Sequence, residues 1–196
     1  MLLKIYQTGQ PVLRNNSNKV SIDKLNKKET QQLIDLMIET LRDSPGVGLA
    51  APQVGEPLRI LIVEDLAKYH EQIPIDVLKS QERKPVKLKV FVNPELEVIE
   101  QEEALFFEGC LSVDGYVAAV PRAKTVKIDA VDRYGKPISY TAKGWFARIL
   151  QHEYDHLNGT LMIDRMKTNS FMNQKNFNSL WRKALPSKIK KEFGNQ

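Results

Sequence analysis

Residues 145–157 constrain this chain more than any other stretch. They contain neither proline nor glycine, carry His152-Glu153-Tyr154-Asp155-His156, and close on Asn158-Gly159, a usual helix stop. The pattern predicts a buried helix. On a helix, residues i and i+4 share a face, so both imidazoles reach a single ion. Glu153 then stands beside the ion's open position, where a general base is needed. The blander alternative is a pair of structural histidines. Against it, two of only three histidines in the chain fall in this pattern with the glutamate in register.

A catalytic metal site normally takes three protein ligands and leaves one position open. Beyond His156 the carboxylates are Asp164 and Glu192, and neither lies in the pattern of a downstream glutamate ligand. Position 162, where a third histidine would follow in one hydrolase class, is Met162. His70 lies in a polar insertion. Cys110, in Glu108-Gly109-Cys110-Leu111-Ser112, is the best remaining candidate. A cation depresses the pKa of a neighbouring thiol and favours the thiolate. Without the helix motif, Cys110 would read as a small buried apolar residue.

Composition narrows the class. The chain has 196 residues, 42% hydrophobic and 27% charged, which fits one soluble domain of ordinary core size. A single cysteine rules out an internal disulfide scaffold. No window reaches the roughly 18 apolar residues of a membrane helix. The start, Met1-Leu2-Leu3-Lys4, resembles neither a secretory signal nor a transit peptide, so the cytoplasm is the expected compartment. The net charge is +5, but residues 165–196 hold eight basic residues against Glu192 alone. That end carries +7 and the remainder −2. A basic amphipathic terminus is a candidate for docking on RNA; a solvated helix face is the competing reading. Neither membrane nor DNA is an expected partner.

Apolar spacing at Leu33, Leu36, Met37 and Leu41 predicts a helix over 24–42, ended by Ser44-Pro45-Gly46. Residues 58–63 and 88–92 read as strands, with a surface insertion and one short helix over 65–85 between them. Several short strands are expected over 104–141. Residues 124–132 alternate, and Tyr134-Gly135-Lys136 marks a hairpin turn. A last helix is expected within 170–184, interrupted by Pro186. The fold class is α+β: mostly antiparallel strands around a central metal-binding helix, with an N-terminal and a C-terminal helix.

One further segment, Gly46-Val47-Gly48-Leu49-Ala50-Ala51-Pro52-Gln53, is too sparse for a phosphate loop, although Gln53 offers an amide donor to a developing oxyanion. Alone it reads as a turn. Taken in order with Glu108-Gly109-Cys110-Leu111-Ser112 and Gln151-His152-Glu153-Tyr154-Asp155-His156-Leu157-Asn158-Gly159, it resembles the three signature motifs of peptide deformylase. The resemblance spans about residues 5–166. It implies a catalytic domain over 1–166, with 167–196 as a basic helical extension of that domain.

That family removes the formyl group from the N-terminal formyl-methionine of nascent proteins and releases formate. By position, the resemblance makes Cys110, His152 and His156 the ligands of one divalent metal ion. Fe²⁺ is the native ion of the family, with Zn²⁺ or Ni²⁺ found in preparations. It makes Glu153 the general base, and Gln53 with the Leu111 N–H the holders of the oxyanion. Val47, Gly48, Phe106, Glu108, Gly109, Trp145, Arg148 and Ile149 would border the substrate, with an apolar pocket for the methionine side chain. Arg122 and Asp155 are candidates for groups that support the site or the fold, and for Asp155 an acid on the helix surface is the competing reading.

The chain departs from many members at Asp114, where proline is common, and at Val117, where a basic residue is common. Contacts beyond the methionine are therefore expected to differ. Asp114-Gly115-Tyr116 is similar to organelle-type members. Two other readings compete: a small peptidase using the same helix motif, and a non-catalytic ribosome- or RNA-binding protein. A basic tail that docks the enzyme on the ribosome would combine the last of these with the deformylase reading.

Overall fold

A computed structural model describes residues 2–194. Strand β1 is Gly48–Ala50, β2 Ile60–Asp65, β3 Val86–Gly109, β4 Tyr116–Val131 and β5 Pro137–Lys143. They form one antiparallel sheet in that spatial order, and a short strand β6, Met172–Asn173, pairs with the start of β4. Helices α1 (Ile22–Leu25) and α2 (Lys28–Asp43) precede the sheet, and α3 (Ile75–Ser80) joins β2 to β3. After β5 come α4 (Gly144–Leu157), α5 (Met162–Arg165), α6 (Gln174–Leu180) and α7 (Pro186–Phe193). The expected α+β architecture is present.

Successive strand side chains point to opposite faces, and β2 uses both. Ile60 and Ile62, with Leu49, Val90 and Val92, pack on Ile34, Met37, Ile38 and Leu41 of α2. Leu61 and Val63, with Ala50, Phe91, Val126 and Ile128, pack on Ala147, Ile149, Leu150 and Leu157 of α4. A strand covered on both sides reads as a continuous apolar run, as 60–63 does. The metal-motif helix is therefore fixed against the sheet by its own apolar residues.

Several elements differ from expectation. The helix expected over 24–42 is two: Ser21 Oγ accepts the Lys24 N–H at 3.2 Å to start α1, and Lys27 is extended before α2. The strand expected over 88–92 is part of a 24-residue strand, β3. Its stretch 95–103 is rich in glutamate, and the apolar alternation of Leu96 and Val98 stops at Ile99, leaving Glu100-Gln101-Glu102-Glu103 wholly polar. It forms a solvent-facing ribbon with β4, where Glu97 lies opposite Lys127 and Glu102 accepts from Lys124 Nζ at 2.6 Å. The short strands expected over 104–141 are thus two long ones and β5. The turn at 134–136 is as expected, closed by Asp132 N–H donating to the Lys136 carbonyl at 2.8 Å. The 65–85 segment holds the short helix expected, but its ends are tied inside: Asp65 is fully buried. Pro186 does not interrupt the last helix. It begins α7, in the first turn, where a missing N–H costs nothing.

The C-terminal helices close over β3. Phe107 meets Phe177, Trp181 and Phe193 with ring centroids 5.2, 5.9 and 5.8 Å away, and Ile189 is buried beside them. Phe106 and Glu108 alternate with Phe107 and face α4 instead. The basic residues Lys175, Arg182, Lys183, Lys188, Lys190 and Lys191 are all exposed. Among the described residues, no helix is long and apolar enough to cross a membrane.

Candidate metal centre

Helix α4 presents His152 and His156 one turn apart, with ring centroids 5.1 Å from each other. Cys110 follows the last residue of β3, on the strand face that Phe106 and Glu108 share. Its Sγ lies 3.3 Å from His156 Nε2. One donor atom from each of Cys110, His152 and His156 falls within 4.8 Å of the other two. Metal bonds of about 2.3 Å to sulfur and 2.0–2.1 Å to nitrogen put tetrahedral donors roughly 3.5 Å apart. A thiol and two imidazoles also suit Zn²⁺ and Fe²⁺ by donor softness. The residues present fit a divalent transition-metal ion.

Glu108 selects which ring nitrogen of His152 is left for an ion. Its Oε2 lies 2.9 Å from His152 Nδ1, leaving Nε2 free. Glu108 had been expected beside the substrate, yet both its oxygens are engaged inside the protein. Arg122 Nε and Nη2 each donate to it at 3.0 Å, and Arg148 Nη1 donates at 2.6 Å. Burial alone would raise its pKa, but Arg122, His152 and Arg148 hold the carboxyl well below the usual carboxylate range. Arg122 Nη1 also bonds Asp155, which accepts from Arg165 at 2.6 and 2.8 Å. Arg122 and Asp155 thus brace the helix from behind through Glu108.

Glu153 is 4% exposed, and its Oε2 has no hydrogen-bond partner among the described residues. Burial pushes its carboxyl up to about 7. A cation alongside would pull that value down again. Gly48 makes the room it occupies: a Cβ added there would stand 2.7 Å from Glu153 Cδ.

Gln53 is 1% exposed and has a fixed orientation. Its Oε1 accepts the Ala50 N–H at 2.8 Å, so its amide nitrogen turns toward the thiol, 3.8 Å from Cys110 Sγ and 3.2 Å from Ser112 Oγ. The Ser112 N–H donates to Cys110 Sγ at 3.4 Å. Leu111 is anchored by its carbonyl, which accepts from Gln7 Nε2 at 2.9 Å. Sequence reasoning gave Ser112 no role. Nothing in a lone serine marks it as the contact of a glutamine 59 residues away.

The expected substrate-side residues separate in space. Phe106 and Trp145 meet edge to face at 6.1 Å, and Val47 and Trp145 border the same core. Ile149 lies within that core, 4% exposed. Arg148 is buried, its guanidinium donating to the Val120 and Ala104 carbonyls at 2.9 and 2.6 Å and lying 5.1 Å from the Phe106 ring centroid. Gly109 is exposed at the strand end.

The fold and the donor set define an α+β protein whose interior helix carries a candidate two-histidine, one-cysteine metal centre. The polypeptide deformylase family model matches residues 2–171, and the chain belongs to that family. It is 46% identical over 172 residues to peptide deformylase 1A, chloroplastic, of Solanum lycopersicum, covering 88% of this chain and 62% of that one. It is 47% identical over 170 residues to peptide deformylase 1A, chloroplastic/mitochondrial, of Arabidopsis thaliana, covering 87% and 63%. The chain thus spans a little under two thirds of the length of these two relatives. It also resembles the Met-Ala-Ser bound crystal structure of class I type b peptide deformylase from Acinetobacter baumannii. That match has 34% identity, a TM-score of 0.75, and covers 85% of this chain and 99% of that one.

Proposed function

We propose that this chain hydrolyses the formyl group from the N-terminal formyl-methionine of nascent proteins, releasing formate and a free amino terminus. The observation that carries the reading is the convergence of Cys110, His152 and His156 within 4.8 Å, with Glu153 seated against Gly48. Cys110, His152 and His156 hold one divalent ion, Fe²⁺ natively, with Zn²⁺ or Ni²⁺ as substitutes in a preparation. When bound, such an ion supplies Lewis-acid polarisation of a carbonyl and acidification of water.

The chain's own groups do the rest. Glu153 takes a proton from the water whose oxygen attacks the formyl carbon, and returns it to the amine nitrogen as the carbon–nitrogen bond breaks. A buried carboxylate with one unpartnered oxygen is placed to carry a proton between water and the leaving amine. Gln53 Nε2 and the Leu111 N–H donate to the oxyanion. Gly48 and Gly109 offer main-chain groups to the peptide. Val47, Phe106, Trp145, Ile149 and the stem of Arg148 line the methionine side. Glu108 acts by orienting His152 rather than by touching substrate.

A free thiol ligand suits a reducing compartment such as the cytoplasm. The last two residues of the extension expected over 167–196 lie outside the described residues; residues 167–194 act as part of the same domain, since α6 and α7 cover Phe107. Their exposed lysines and arginines are proposed to dock on the ribosome. The deciding experiment compares formate release from formyl-Met-Ala-Ser with cleavage of the N-acetyl and unformylated peptides by metal-loaded protein. Selective formate release supports the reading. Cleavage of unformylated peptide would favour a peptidase, and no turnover with no metal bound would favour a binding protein.

A further inference from the structure

Away from the metal centre, a second buried polar cluster joins the 65–85 segment to the start of α4. Asp65, fully buried, accepts from Arg83 Nε and Nη2 at 2.8 and 2.9 Å, and His70 Nε2 lies 3.1 Å from it. The Arg83 side chain is 9% exposed. Its guanidinium stands 4.9 Å from the centroid of the Trp145 ring.

The backbones meet at the same place. The Trp145 N–H donates to the Gln81 carbonyl at 2.9 Å. Glu82 and Gly144 both have positive φ, 47° and 57°. A Cβ on Gly144 would stand 2.6 Å from the Gln81 oxygen, so only glycine allows this approach. Trp145 Nε1 is buried without a hydrogen-bond partner among the described residues. No polar contact therefore fixes the ring. It is held by what lies against it: Arg83, Phe106, and the Arg148 guanidinium at 5.8 Å.

We infer that Arg83, aligned by Asp65, is a positioning residue that sets the side-chain selectivity of the enzyme by fixing Trp145. The inference rests on the deformylase reading above, in which Trp145 walls the methionine pocket. Arg83 touches neither the candidate ligands nor Glu153. Its loss should alter which side chain is accepted rather than the metal or the base.

The test uses the metal-loaded full chain and the ratio of kcat/KM for formyl-Met-Ala-Ser over formyl-Leu-Ala-Ser. Arg83→Lys keeps a charge but loses the planar fork that pairs with Asp65 and lies against the ring. It should lower the ratio roughly tenfold, the scale on which a small change in an apolar pocket discriminates. Metal content should be unchanged. In a Trp181→Phe background, the remaining Trp145 emission should shift to longer wavelength. If Arg83→Lys is too unstable to assay, Asp65→Asn/Arg83→Met leaves no lone buried charge and should give the same ratio. Trp145→Leu should also lower the ratio, and adding Arg83→Lys to it should lower the ratio no further. A ratio within twofold of wild type in the Arg83 variants, with formate still released, overturns this inference alone. A wild-type chain that releases no formate from either peptide overturns the functional reading and this inference together.

Discussion

Gly48 on an edge strand and Glu153 on the central helix occupy one small volume: a Cβ on Gly48 would stand 2.7 Å from Glu153 Cδ. The carboxylate has this position only because residue 48 has no side chain. Gly48→Ala should displace Glu153 by about 1 Å, the shift that restores ordinary contact, and lower formate release about 100-fold, the usual loss for misplacement of that size. Metal content, measured by elemental analysis, should be unchanged.

Glu108 accepts from two buried guanidiniums, Arg122 and Arg148, and pairs with His152 Nδ1 at the same time. Glu108→Gln turns one of the two accepting oxygens into an NH2 donor, so His152 Nδ1 and the two guanidiniums compete for the oxygen that remains, and it leaves the Arg122 and Arg148 charges undercompensated. Metal affinity should fall roughly 10–100-fold. Stability should fall by about 3–5 kcal/mol, the usual cost of breaking a buried ion pair on one side. Competition with a chelator reads the first effect and urea unfolding the second.

Glu64 and Arg42 form a bidentate pair at 2.7 and 2.8 Å that ties α2 to β2. The Arg42 hydrogen bond, opposed by burial, lowers the Glu64 pKa below its ordinary value. A depressed carboxylate contributes stability above its unfolded pKa and loses it as pH falls through the folded value. The difference in unfolding free energy between wild type and Glu64→Gln should therefore be full at neutral pH and shrink below about pH 4. Half of the Arg42 side chain is in solvent, so added salt should reduce the difference as well.

The ribosome-docking part of the proposal is best tested by charge, because truncation would strip α6 and α7 from Phe107 and expose core. Lys188→Glu, Lys190→Glu and Lys191→Glu together should weaken co-sedimentation with ribosomes and reduce its salt dependence. Turnover of short formyl peptides should stay within twofold of wild type. Equal co-sedimentation at every salt concentration would reject docking through this surface.

Local periodicity and ligand chemistry were legible before any coordinates. The helix over 145–157, the fully apolar run of β2 and the convergence of Cys110 with two histidines all follow from residue type and spacing. What escaped were features set by distant partners. The ribbon at 95–103 is held by cross-strand pairing with Lys124 and Lys127, so its polar end at 100–103 lacks the alternation of a half-buried strand. The 65–85 segment has the polar composition of a surface loop, and only the fold reveals that Asp65 and Arg83 are buried together. Gln53, Arg122 and Asp155 were in view as residues, but Gln53 meets Ser112 59 positions away and Arg122 meets Asp155 33 positions away, beyond the reach of any local pattern.

If Glu153 is the base beside an ion held by Cys110, His152 and His156, its removal should leave the metal in place and stop the chemistry. The most direct measurement is formate release by Glu153→Ala, prepared without oxygen and assayed alongside its metal content. Both proteins should hold one metal ion per chain, and the variant should lose at least about 100-fold in turnover, the low end of what a positioned acid–base group contributes. Formate release at the wild-type rate by a fully metal-loaded Glu153→Ala would contradict that role for Glu153.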